Sequence, residues 1–310
     1  MSNARTTAAF TARNIKVFFK DKGAVLSALI APLVILLLYI LFLHGVLESS
    51  FVQNMGDFPL DKKLIDGYVA SYEVSSILAT CCVTVAFVVN MTMVDDKITG
   101  VRADIDVAPV KRGVLVLGYF FATAIVTLAI AFITLAVGFT YIGIMGWQMS
   151  AGDCFLAVAD VVLTVLFGTA LSSIIASFIK SRGAVMATST IMSTVYGFIS
   201  GAYYPISQFA SGIANFVMCL PGTYFTGLLR VHFMGGYGEA FTNAGLPDGA
   251  VDGILESLDV KLFAFGNAVP EWAMYLVAGV SIALLAGVFV LINAVRRKHK
   301  NRVKRSAVAE

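Results

Sequence analysis

The chain has 310 residues, is 58% hydrophobic and only 13% charged, and carries a formal net charge of +3. An ordinary soluble domain is about 25% charged, and a soluble protein could not cover several uncharged runs of about 20 residues, the length that crosses a bilayer. A soluble globular enzyme is excluded. The absence of a Gly-x-x-x-x-Gly-Lys-Ser/Thr loop and of a His-Glu-x-x-His pair argues against nucleotide binding by the usual loop and against that zinc-protease site.

In chain order, the first element is a basic arm. Phe10, Ile15, Phe18 and Phe19 alternate with Arg13, Lys16, Lys20 and Lys22. This suits an amphipathic helix on the membrane surface or a plain positive-inside anchor, and both need the same charges. Six spans follow, at about Gly23–Leu43, Val74–Val94, Val114–Thr140, Asp153–Ile179, Ala184–Gly201 and Trp272–Ala294. The first is longer than a signal-peptide core and is followed by His44-Gly45-Val46-Leu47-Glu48, which is no small-residue cleavage site. Between the last two spans lies an apolar patch, Phe209 to Leu229, interrupted or flanked by Pro205, Gly212, Pro221 and Gly222. It predicts a re-entrant helical pair whose irregular backbone is buried in protein. The stretch HFMGGYGEAFTNAGLPDG, from His232, reads as loop because Gly and Pro interrupt it.

Charge sets the expected orientation. With six spans, the arm, the segment between spans two and three, the Lys180–Arg182 turn and the tail share one side and hold 18 of the 22 Lys and Arg residues. The positive-inside rule then places both termini in the cytoplasm of a multi-pass cell-membrane protein. The basic tail, 295–310, suits lipid headgroups better than nucleic acid.

Polar residues within the spans are few. Asp160 should face protein or a wet cavity, since an exposed carboxylate near a helix centre costs about 2.5–3.5 kcal/mol. It serves packing or the route of a cargo. The fifth span carries Thr188, Ser189, Thr190, Ser193, Thr194 and Ser200, which permit close helix packing and equally suit a route. Glu73 sits at an outer boundary where hydration suffices. The three histidines, His44, His232 and His299, are far apart in sequence. Adjacent Cys81 and Cys82 read as packed helix positions rather than a redox centre.

The strip DDKITGVRADIDVAPVKRG, Asp95 to Gly113, holds four acidic and four basic residues between two uncharged runs. Its middle predicts a short interfacial helix ended near Pro109. Charge content leaves two uses open, a lever between two adjacent spans or a solvated turn.

Several motifs together resemble the permease subunit of the type 2 ABC exporter family. RNIKVFFKDKGAVLSALIAPLVILLLY is similar to that family's basic arm, Phe-Phe-base-Asp turn and proline-containing first span, here Phe18, Phe19, Lys20, Asp21 and Pro32. In the strip, Asp96, Lys97, Gly100, Pro109, Val110 and Lys111 match the family's loop, while Val101 and Ala108 stand where threonines are usual and its third acidic residue is missing. GAYYPISQF, with Gly201 and Pro205, resembles the Gly-x-x-x-Pro after the fifth span. LPGTYFTGLLR, with Pro221, Tyr224 and Arg230, resembles a Pro-x-Thr-Tyr element ending in arginine.

The resemblance implies an all-α polytopic permease over 1–310, with six spans and a re-entrant pair before the last. Residues 5–22 would be a connecting helix, 95–113 a cytoplasmic coupling loop, and 202–271 the re-entrant segment and extracytoplasmic loop. The chain would pair with a second permease half, a copy of itself, and with two ABC ATPase subunits carrying ATP and magnesium; no cofactor is expected on this chain. The residues assigned to ATPase coupling are Asp96, Lys97, Gly100, Arg102, Asp104, Pro109 and Lys111. Those assigned to translocation or packing are Asp160, Thr188, Ser193, Tyr224 and Arg230. Membrane lipids are the remaining partner. The competing readings are an ion-coupled transporter using Asp160 and a non-transport membrane scaffold or sensor.

Overall fold

The computed structural model describes residues 3–55, 60–107 and 110–306. Helices make up nearly all of them. The basic arm is α1 (Asn3–Lys20), which ends at Asp21; the Asp21 carboxylate accepts from the Ala24 amide at 3.0 Å and so caps α2 (Lys22–Leu38). A capped break of this kind turns the chain from one helix axis to the next. A π-helical turn, Tyr39–Leu43, leads from α2 into α3 (His44–Met55).

The centre is α4 (Lys62–Ile98), whose 37 residues extend about 55 Å at 1.5 Å per residue. That exceeds the roughly 30 Å hydrocarbon core, so α4 is longer than a single crossing needs. The expected second span, Val74–Val94, lies within its C-terminal two thirds. A short helix, α5 (Val101–Val107), links α4 to α6 (Arg112–Met145), and α7 (Ala151–Phe178) and α8 (Arg182–Ile199) complete the bundle around α4. Gly168 of α7 lies where an added Cβ would come within 2.8 Å of the Cys82 carbonyl oxygen and 2.9 Å of Val83 Cα. Glycine is what lets these two helices touch backbone to backbone.

The patch before the last span is a bent pair, α9 (Ser211–Val217) and α10 (Pro221–Met234), meeting at 91°. The expected helical pair with a break between its members is present. The stretch read as loop is helical instead: α11 (Gly236–Asn243) and α12 (Asp248–Ser257). Tyr237 and Phe241 of α11 are fully buried and pack their rings on Tyr68 of α4 at 5.6 and 5.3 Å. That aromatic burial outweighs the weak helix propensity of the glycines. A two-residue hairpin, β1 (Phe263–Ala264) with β2 (Asn267–Ala268), precedes α13 (Glu271–Ser306).

Among the described residues, five helical stretches are long and apolar enough to cross a bilayer: Lys22–Ser49, Lys62–Ile98, Gly113–Met145, Ala151–Phe178 and Glu271–Asn293. The expected fifth span, α8, is not among them, because its 18 residues include Arg182 as well as several hydroxyls. It nevertheless lies along α4. Arg182 at its start pairs with Asp95 at 2.6 Å, and the carbonyl of Ile199 at its end accepts from Thr223 of α10 at 3.2 Å. The protein is an all-α polytopic membrane protein.

The four basic segments converge on one end of the bundle, called here the strip end. Arg13 of α1 reaches Asp96, Arg182 reaches Asp95, and α13 descends until Phe289 meets Phe120 near the start of α6. Lys62, Lys63, Arg230 and Lys261 lie towards the far end.

Candidate functional site

At the strip end the charged residues divide into two groups. Asp96 is buried and turned inward. Arg13 grips it through both guanidinium nitrogens, Nη2 to Oδ1 at 2.9 Å, and the Tyr119 hydroxyl donates to Oδ2 at 2.6 Å. The hydrogen bond to Asp96 holds the Arg13 guanidinium above its ordinary pKa, so it stays charged. Lys97 donates to the carbonyls of Ala176 (2.8 Å) and Ser177 (3.4 Å). These are last-turn acceptors that α7 cannot satisfy internally. Asp95 takes Arg182. Three ionic or charge-assisted contacts thus tie the end of α4 to α1, α7 and α8.

The strip itself projects from this clamp. Gly100, at φ +83°, makes the turn into α5 in a region that favours glycine. Arg102 lies over the Tyr119 ring at 5.6 Å. Ala103 and Asp104 are exposed, as is Lys111 just before α6. Pro109 lies outside the described residues. Two apolar side chains that the charge pattern did not single out, Ile98 and Val107, are 43% and 86% exposed. An exposed apolar residue beside charges is a common composition for a docking surface.

Between α2, α4 and α8 lies a cleft of about 260 Å³, lined in part by Pro32, Thr80, Thr84, Ser189, Ser193 and Tyr203. Ser193 therefore faces this cleft. Thr188 instead returns its hydroxyl to the Ala184 carbonyl at 2.7 Å. The outward faces of α2 and α8 are largely uncovered, with Leu26, Ile30, Val34, Leu37 and Leu41 forming a stripe on the α2 span.

Towards the far end the bend between α9 and α10 is tied by its own motif. The Tyr224 hydroxyl donates to the Met218 carbonyl at 2.8 Å and the Thr223 hydroxyl to the Val217 carbonyl at 2.9 Å. Arg230, 1% exposed, is paired with Asp259 at 2.8 Å, donates to the Gly201 carbonyl, and lies over the Tyr72 ring at 4.7 Å. Asp259 also accepts from the backbone amides of Ile206 and Ser207. One buried ion pair therefore joins α10, the loop after α8 and the segment after α12. Burying these charges is tolerable because each remains hydrogen-bonded.

Asp160 is also buried and partnered. Its Oδ2 lies 2.6 Å from His232 Nδ1 on α10, and His232 Nε2 lies 3.3 Å from Glu271 at the start of α13. His232 was not singled out from sequence; an intramembrane acid seeking a partner was the available signal, but the partner is 72 residues away. Glu73 is fully buried rather than hydrated, and accepts from the Tyr141 hydroxyl at 3.0 Å. Cys81 and Cys82 are buried free thiols within α4.

A sequence model described as "ABC-2 family transporter protein" matches residues 43–295. Neither the curated proteins nor the solved structures gave a match to this chain.

Proposed function

The chain belongs to the ABC-2 transporter family, as a membrane transport subunit, and we propose that it is the permease of an ATP-driven exporter whose ATP is hydrolysed on separate subunits. The observation that carries this reading is the strip end. A short helix, α5, protrudes from a rigid clamp formed by Arg13–Asp96, Lys97 with the α7 carbonyls, and Asp95–Arg182. Force on α5 is delivered to α4 and α6 directly, and to α1, α7 and α8 through the clamp. In this scheme Asp96 and Lys97 position the loop. Arg102, Asp104 and Lys111, with Ile98 and Val107, offer the docking face to an ABC ATPase carrying ATP and magnesium. Gly100 supplies the turn.

The strip end is cytoplasmic in this reading, because the four basic segments gather there. Two copies of the chain pair, the uncovered face of α2 and α8 enclosing the hydroxyl-lined cleft as the cargo route. The bent pair forms the far-end exit, held by Arg230 and Asp259. No residue of the chain performs covalent chemistry, and the conformational work comes from the partner's nucleotide cycle.

The test is crosslinking from single cysteines at Ile98, Ala103, Asp104 and Val107 to a co-expressed ATPase. It is paired with replacement of 98–106 by a neutral flexible linker. Contact is expected from the exposed positions, and the linker should uncouple ATP hydrolysis from transport while insertion stays normal. A linker chain that assembles and transports normally would make the strip a solvated turn.

A further inference from the structure

Where α3 meets α4 towards the far end, four titratable side chains converge that the transport mechanism above leaves unused. His44 and Glu48 stand one helical turn apart on α3, which places them on one face. Asp66 faces them from α4. One ligand atom from each of these three lies within 4.8 Å of the others. His44 Nε2 is 3.7 Å from Asp66 Oδ1.

The fourth group is Glu73, two turns below Asp66 on α4. Its side chain is fully buried, its Oε2 lies 3.5 Å from His44 Nδ1, and its Oε1 has no hydrogen-bond partner. Glu73 and the Tyr141 hydroxyl, 3.2 Å from Nδ1, hold the imidazole by that nitrogen and leave Nε2 facing Asp66, where an ion would take the place of any second proton. Metal-binding histidines are commonly oriented in this way. The Tyr141 hydroxyl, donating to the same Glu73 oxygen, fixes the carboxylate in turn.

We propose that His44, Glu48 and Asp66 bind one divalent transition-metal ion, zinc by the chemistry of the donors, with Glu73 as the positioning residue for His44. One imidazole nitrogen with two carboxylates suits zinc, whereas magnesium and calcium prefer oxygen ligands throughout. The three binding residues are only partly buried, and Asp66 Oδ1, the oxygen facing His44, is buried with no hydrogen-bond partner, as an oxygen awaiting an ion would be. The ligand atoms stand wider than the roughly 3.3 Å between donors of a tetrahedral ion with bonds of about 2.0 Å. Binding would draw them together, with Glu48 turning towards the ion. Its carboxylate is now held by the exposed Lys62 ammonium at 2.7 Å, a weak surface pair. Lys62 therefore competes with the ion for Glu48.

The experiment uses the untagged full-length chain, purified in detergent, stripped with a chelator and titrated with Zn²⁺ against a fluorescent zinc indicator. One Zn²⁺ per chain is expected. His44→Ala should weaken binding at least about 100-fold and Glu73→Gln about 10–100-fold. Lys62→Gln, which leaves every ligand in place, should tighten it several-fold. Millimolar Mg²⁺ or Ca²⁺ should not compete. The proposal is overturned if the wild-type chain retains no zinc, if Mg²⁺ or Ca²⁺ displaces it, or if the stoichiometry is lost in His299→Ala but kept in His44→Ala. Should His44→Ala misfold, the Lys62→Gln titration decides: unchanged or weaker affinity removes Glu48 from the site.

Discussion

Replacing Arg230 by methionine should destabilise the far end strongly, and the size of the effect follows from its surroundings. Arg230 is 1% exposed and Asp259 2%. Removing one member of a buried ion pair costs about 3–5 kcal/mol, because the other charge is left uncompensated. Arg230→Met should fall towards the lower end, since Asp259 keeps the amides of Ile206 and Ser207. Asp259→Asn should fall towards the upper end, since the Arg230 guanidinium then retains only neutral acceptors, the Gly201 carbonyl and the Ser76 hydroxyl, and the Tyr72 ring. At about 2–4 °C per kcal/mol, each variant should unfold about 6–20 °C below wild type in a heat scan of the detergent-solubilised chain. The double variant removes both charges at once, so its cost should be smaller than the sum by at least about 1.5 kcal/mol. Single effects that add to within about 0.5 kcal/mol would refute the reasoning. The two residues would then act through separate packing contacts.

Gly168→Leu should force α7 from α4, because the new side chain meets the backbone of Cys82 and Val83. Overpacking of this kind costs about 1–3 kcal/mol, read as a lower melting temperature; an unchanged value would mean the helices separate freely there. At Asp160, the asparagine variant keeps a hydrogen bond to His232 and should assemble nearly as wild type, whereas leucine leaves the buried imidazole short of its partner and should disturb assembly. An asparagine variant that assembles but loses pH-dependent transport would point to ion coupling instead. For orientation, single cysteines at exposed Ala103 and Asn243 in a cysteine-free chain should differ. Only Asn243→Cys should react with an impermeant reagent in intact cells, and labelling of Ala103→Cys would invert the topology.

The resemblance to a permease, the apolar runs, the break at Pro221 and the gathering of basic residues were all legible in the sequence, because each is a local property. A run of uncharged residues such as Val114–Thr140 has few options besides a membrane helix, and a proline–glycine pair interrupts a helix in any surroundings. What tertiary structure decided was the fate of single polar side chains and of weak helices. Asp96 and Lys97 read as members of a charged surface strip, yet Arg13 and the α7 carbonyls draw them inward. Glu73 read as hydrated, but lies buried beneath His44 and Tyr141. The glycine-rich stretch around Tyr237 read as loop, and became helix once its aromatic rings found Tyr68. Hydropathy and turn chemistry are written in neighbouring residues. The desolvation of a charge, and the partner that makes it tolerable, depend on groups brought together from distant parts of the chain.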